Sequence, residues 1–67
     1  MRECDKVIIE TLSLAERLIG VANKGDEVRE DDSCGILYAT VRDSGYKIKA
    51  MAEEEIERHK RKGLWKE

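Results

Sequence analysis

Three side chains in the sequence have the chemistry for a metal or redox site: Cys34, Glu55 and His59. Glu55 and His59 are four residues apart, so on a helix they project from one side and could share a metal ion. Cys34 stands at the start of a predicted helix, whose dipole would favour a reactive thiolate. The acids at positions 30–32 oppose this effect, because nearby negative charge favours the protonated thiol.

Both features also have a simpler structural interpretation. Cys34 begins an apolar row and is read as a small buried hydrophobic residue. Metal-binding helix bundles typically use Glu-x-x-His pairs with further inward acids, whereas Glu10 and Glu16 of the first predicted helix lie on its polar side. The second predicted helix is the longer one, so its last turns would extend beyond the first helix into water. We therefore predict no metal ligands and no cofactor. A metal or redox site at Cys34 or at Glu55 and His59 is the third candidate function, and the sequence leaves a redox role of Cys4 and Cys34 open.

A basic segment near the C-terminal end suggests a different function. It consists of Arg58, Lys60, Arg61 and Lys62, with Trp65 close by. Cations of this kind bind phosphates and an indole stacks on a base, so nucleic-acid binding is the alternative function. Cations also complement the dipole at the C-terminus of a helix. Since the net charge is −2, a general nucleic-acid binder is the less favoured interpretation.

The sequence lacks the usual motifs of an enzyme. It contains no Gly-rich phosphate loop, no Cys-x-x-Cys pair and no dinucleotide-binding fingerprint. The acidic segment 26–32 does not fit a calcium loop, because Val28 occupies the third position, where an oxygen ligand is required. A chain of 67 residues also offers little space for a substrate pocket of roughly 300 Å³ or more. We expect no catalytic residues and no enzymatic activity.

Length and composition restrict the fold class. The 67 residues are 42% charged and 40% hydrophobic, without Pro or Phe, and allow one domain of marginal stability as a lone monomer. Two cysteines are too few for a secreted disulfide scaffold, which favours reduced thiols in the cytoplasm. No segment approaches the ~18 apolar residues of a membrane span, so we expect no membrane partner.

Apolar periodicity predicts a first helix over residues 5–23. Two adjacent rows at helical spacing cover about half of its circumference; they are Ile8, Leu12, Ala15, Ile19 and Ala22, and Val7, Leu14, Leu18 and Val21. A stripe this wide exceeds what one antiparallel neighbour covers. Gly25 is predicted to end the helix, followed by an acidic loop over 24–32. Asp31 and Asp32 then provide N-cap oxygens for the next helix.

A second, longer helix is predicted over residues 33–62, followed by a short C-terminal tail. One seam continues at alternating spacings of four and three over nearly four heptads; it consists of Cys34, Tyr38, Val41, Gly45, Ile48, Ala52, Glu55 and His59. Asp43-Ser44-Gly45 could instead form a turn that divides this helix. The seam passes through Gly45 without a phase shift, so a continuous helix is favoured, with Gly45 and Ala52 at a close helix–helix contact.

Together these patterns predict an all-α fold: an antiparallel helical hairpin forming a single domain over 1–67. The wide apolar stripe predicts a homodimer that forms a four-helix bundle. Opposite charge at the two ends favours a head-to-tail arrangement. The predicted function is that of a small intracellular interaction or regulatory protein, acting through its helical surface on a protein partner.

Overall fold

The computed structural model describes residues 1–65 and contains two α-helices packed side by side. Helix α1 spans Glu3–Val28 and helix α2 spans Asp32–Arg61. Asp5 lies against His59 and Ala15 against Gly45, so the helices run antiparallel. The predicted all-α hairpin is confirmed. Its extents are 48 × 15 × 13 Å, which makes it a thin rod.

Helix α1 continues past its predicted end. The prediction that Gly25 terminates it is wrong, because the helix runs on to Val28 and Gly25 is buried within it. The physical reason is the neighbouring helix: the ring of Tyr38 packs where a side chain at position 25 would lie. The acidic loop predicted over 24–32 therefore shrinks to a connection of residues 29–31.

The ends of α2 follow the capping rules. Asp31 is its N-cap, and the Oδ1 atom accepts a hydrogen bond from the Cys34 amide at 2.8 Å. After the helix, Gly63 adopts a positive φ of 72°. Its amide donates to the Lys60 carbonyl at 3.0 Å, and the Leu64 amide donates to the His59 carbonyl at 2.9 Å. These two bonds form a Schellman motif, which satisfies the last carbonyls of the helix.

Small residues occupy most of the buried positions where the two helices meet. Five of them are buried along the seam: Ala15, Ala22, Gly25, Gly45 and Ala52. Residues without large side chains let two backbones approach closely. Helix α2 is continuous through Asp43-Ser44-Gly45, and the alternative turn is not formed.

At Gly45 the backbone of α2 lies against the backbone of α1. A Cβ atom at Gly45 would lie 2.8 Å from Ile19 Cγ1 and 3.1 Å from the Ala15 carbonyl oxygen. The carbonyl belongs to the α1 backbone and cannot turn aside as a side chain does. An added methyl group therefore has to push the helices apart.

We predict that Gly45→Ala destabilises the hairpin by about 1–3 kcal/mol through overpacking, despite the better helix propensity of alanine. Gly20→Ala is the matched control, since nothing lies within 4 Å of its Cβ position. It should stabilise by about 0.5–1 kcal/mol. Chemical denaturation monitored by circular dichroism measures both. If the two substitutions stabilise equally, the close contact at Gly45 does not exist.

Candidate functional site

A polar cluster lies at the open end of the hairpin, where α1 begins and α2 ends. We define it as Arg2, Cys4, Asp5, Glu55 and His59. Its centre is a pair formed by Asp5 Oδ1 and His59 Nδ1, which are 2.7 Å apart. Asp5 is wholly buried and the His59 side chain is only 13% exposed. This bond links the first turn of one helix to the last turns of the other.

The remaining groups of the cluster surround this pair. Arg2 Nε lies 3.4 Å from Asp5 Oδ2, and Glu55 Oε2 lies 3.7 Å from His59 Nε2. Asp5 Oδ2 is buried without a hydrogen-bond partner among the described residues. The Cys4 Sγ, a carboxylate oxygen of Asp5 and a ring nitrogen of His59 lie within 4.8 Å of one another. A thiol, a carboxylate and an imidazole at this separation could hold a proton or a metal ion between them.

The sequence interpretation of this end of the molecule was incomplete. The sequence pattern predicts no inward acid on the first helix and places Glu55 and His59 in water. The structure brings Asp5 over His59, because α1 begins at Glu3 and so reaches the last turns of α2. Asp5 stands three residues before Ile8 and continues the inward row through Leu12 and Ala15. This helical spacing could have predicted that Asp5 faces α2. Because Asp5 is polar, a search for apolar periodicity does not include it in the row.

Cys34 lies far from this cluster. It is 25 residues from His59 along α2, or roughly 37 Å at 1.5 Å per residue. Its interaction with the Asp31 carboxylate, together with burial, raises the pKa of the Cys34 thiol above its usual range. The amide of Cys34 in turn holds the pKa of Asp31 below its ordinary value. Cys34 therefore takes part in a helix cap and does not join Glu55 and His59 in one site.

The basic segment is partly neutralised by its own helix. Arg58 pairs with Glu54 and Glu55, and Lys60 Nζ lies 4.0 Å from Glu57 Oε1. Helical spacing also distributes the four cations around the helix, since Lys60 projects away from the side that carries Arg58 and Lys62. Trp65 is half-buried and lies beyond the end of α2. The described residues thus form no single flat basic surface with an exposed indole.

A second surface feature is the apolar edge, which runs along one side of the hairpin. Helical periodicity places these residues on the same side of their helices. The apolar edge consists of Val7, Leu14, Leu18 and Val21 of α1, and Leu37, Ile48 and Met51 of α2. All except Leu18 and Ile48 are more than half exposed. Between the helices on this edge lies a groove of about 250 Å³, lined by Ile8, Thr11, Ile48, Met51, Ala52 and Glu55.

The opposite side, the polar edge, is closed by interhelical polar contacts. Arg42 forms an ion pair with Asp26, and its Nε donates to Asn23 Oδ1 at 2.9 Å. Lys49 Nζ lies 3.9 Å from Glu16 Oε2. These contacts cross from one helix to the other. The two edges of the hairpin therefore differ in character, one apolar and the other polar.

Comparisons with known proteins give no family for this chain. No protein-family model matches it, and neither the curated proteins nor the solved structures contain a match. Neither helix has a stretch that is both long and apolar enough to cross a membrane.

We predict that Asp5 and His59 are energetically coupled. In metal-free buffer, Asp5→Ala and His59→Ala should each destabilise the hairpin, because each leaves a poorly solvated polar partner behind. The double variant should show a coupling energy of about 1–3 kcal/mol in a double-mutant cycle of unfolding free energies. If the destabilisation of the double variant equals the sum of the two single effects to within about 0.5 kcal/mol, the bond contributes nothing to stability.

Proposed function

We propose that this protein is a small interaction or regulatory protein whose working unit is a pair of hairpins joined along their apolar edges. The observation that carries the proposal is the composition of the core. Among the described residues, the buried hydrophobic residues are Ala15, Ala22 and Ala52, and no larger apolar side chain is fully buried. The hairpin by itself thus leaves its larger apolar side chains at least partly exposed to water.

The accessible area supports the same proposal. The hairpin has an accessible surface of 5028 Å², whereas a compact monomer of 7.7 kDa would have about 4,300 Å². Its radius of gyration is 15.0 Å, against about 11 Å for a compact chain of this length. A standard interface buries about 800 Å² per partner. One such interface would bury about as much surface as the hairpin exposes beyond a compact monomer of the same mass.

The position of the exposed residues favours a helical partner. The large exposed residues of α1 include Val7, Leu14 and Val21, which repeat at intervals of seven. A seven-residue repeat is the pattern by which helices pack on helices. The polar edge is already occupied by ion pairs within the chain, so the apolar edge is the side available for docking.

The partner we propose is a second copy of the chain in a head-to-tail arrangement. The turn end carries Asp26, Glu27 and residues 30–32, which are acidic, and the open end carries the basic segment 58–62. Head-to-tail packing brings each acidic end near a basic end, whereas parallel packing would place like charges together. Exposed ion pairs contribute only ~0–1 kcal/mol each, so they select the orientation while apolar burial drives association.

This proposal is for a binding function without catalysis and for a cytoplasmic protein. The groove is formed mainly by aliphatic side chains. Both cysteines are free, and Cys4 is exposed, which suits a reducing compartment.

We predict that Leu14→Glu weakens the homodimer at least about tenfold, because a charge replaces an apolar contact worth about 1.5–3 kcal/mol. Tyr46→Glu is the matched control: Tyr46 is 55% exposed and Leu14 is 53% exposed, but Tyr46 lies on the polar edge. Sedimentation equilibrium should find the Tyr46 variant as dimeric as the parent. Equal weakening by both substitutions would refute the assignment of the interface to the apolar edge.

A further inference from the structure

Cys4, Asp5 and His59 bring three metal-binding groups to one point at the open end of the hairpin. The Cys4 Sγ, an Asp5 oxygen and a His59 ring nitrogen lie within 4.8 Å of one another. Two of these side chains come from the first turn of α1 and the third from the last turn of α2. Thiolate, carboxylate and imidazole are the side-chain groups that bind Zn²⁺ in proteins.

The state of the Asp5 carboxylate is a second, independent indication of a ligand. Asp5 is wholly buried, and its Oδ2 atom accepts no hydrogen bond among the described residues. Arg2 Nε approaches it at 3.4 Å, but the Arg2 side chain is 44% exposed and can move into solvent. A buried carboxylate with a vacant acceptor position is costly unless it is paired or coordinates a metal ion. The burial of Asp5 therefore creates a place for a cation.

His59 is oriented in the way that metal-binding histidines usually are. Its Nδ1 faces Asp5 Oδ1 at 2.7 Å, while its Nε2 faces Glu55 Oε2 at 3.7 Å. A ligating imidazole commonly uses one nitrogen for the metal and donates the other N–H to a carboxylate. Glu55 is placed to be that outer carboxylate when Nδ1 is the ligand.

We propose that Cys4, Asp5 and His59 form a binding site for a divalent transition-metal ion, with Zn²⁺ as the best match. At metal–ligand distances of about 2.0–2.1 Å in a tetrahedral site, the Asp5 oxygen and the His59 nitrogen separate to ~3.3 Å. That change is a small opening of the existing contact. Three protein ligands leave the fourth position for water.

The charges and protons of this site balance. The Cys4 thiolate and the Asp5 carboxylate carry two negative charges, which neutralise the divalent ion, and the imidazole binds as the neutral base. Binding releases the Cys4 thiol proton to solvent, together with the imidazole proton wherever His59 is protonated. The bound ion links the beginning of α1 to the end of α2. The folded hairpin is therefore stabilised by RT ln(1 + c/Kd), which increases with the free metal concentration c.

The test uses untagged, reduced, metal-free protein titrated with Co²⁺ and then Zn²⁺. We expect one Co²⁺ per chain with a thiolate-to-cobalt absorption band, displacement by Zn²⁺, and a higher melting temperature with Zn²⁺. Cys4→Ser should abolish the band, and His59→Gln should raise the dissociation constant at least about tenfold. Cys34→Ser is the matched control, because Cys34 lies at the other end of α2, and it should bind as the parent does.

Three outcomes would overturn the site. The first is a parent protein with neither a thiolate band nor a shift in melting temperature. The second is loss of the band in Cys34→Ser, which would assign the thiolate to the other cysteine. The third is one metal per two chains, which would place the ion between copies. Circular dichroism confirms that each variant is folded, and the parent and Cys34→Ser titrations test the site even if Cys4→Ser does not fold.

Discussion

The close approach of α1 and α2 is the constraint on which the rest of the structure depends. A Cβ atom at Gly45 would lie only 3.1 Å from the Ala15 carbonyl oxygen, and Gly25 leaves space for the ring of Tyr38. Small residues at a seam permit this approach but bury little apolar area themselves. Several large aliphatic side chains, including Val7, Leu14 and Val21, consequently lie at the edge of the hairpin, where they are more than half exposed. The small residues along the seam thus explain both the tight contact between the two helices and the incomplete core.

The two ends of the seam are held by different chemistry. At the turn end a three-residue connection joins the helices, and Asp31 caps the amides of α2. At the open end the chain provides no covalent link, and the buried bond between Asp5 and His59 joins the helices instead. A buried ionisable pair is an expensive way to hold two helices together, since both groups lose hydration. The exposed thiol of Cys4 lies beside this pair, with its sulfur atom within 4.8 Å of an Asp5 carboxylate oxygen and a His59 ring nitrogen.

Much of the fold could be predicted from the sequence because the heptad seam of α2 is regular. Each residue of the predicted seam, from Cys34 to His59, is buried or half-buried in the structure. Rules based on local sequence gave wrong predictions where contacts between the two helices determine the structure. Gly25 resembles a helix terminator in isolation, but inside the hairpin it serves as a site of close packing against Tyr38. Asp5 resembles a solvent-exposed first-turn acid, and only the register between the helices buries it.

The dependence of thermal unfolding on protein concentration tests the central claim most directly, namely that a second copy completes the core. If folding is coupled to dimerisation, the melting temperature of the unmodified protein should rise by roughly 3–6 °C for each tenfold increase in concentration. The same samples should sediment with twice the mass of 7.7 kDa. A melting temperature that is independent of concentration, together with a monomer mass at micromolar concentration, would contradict the account.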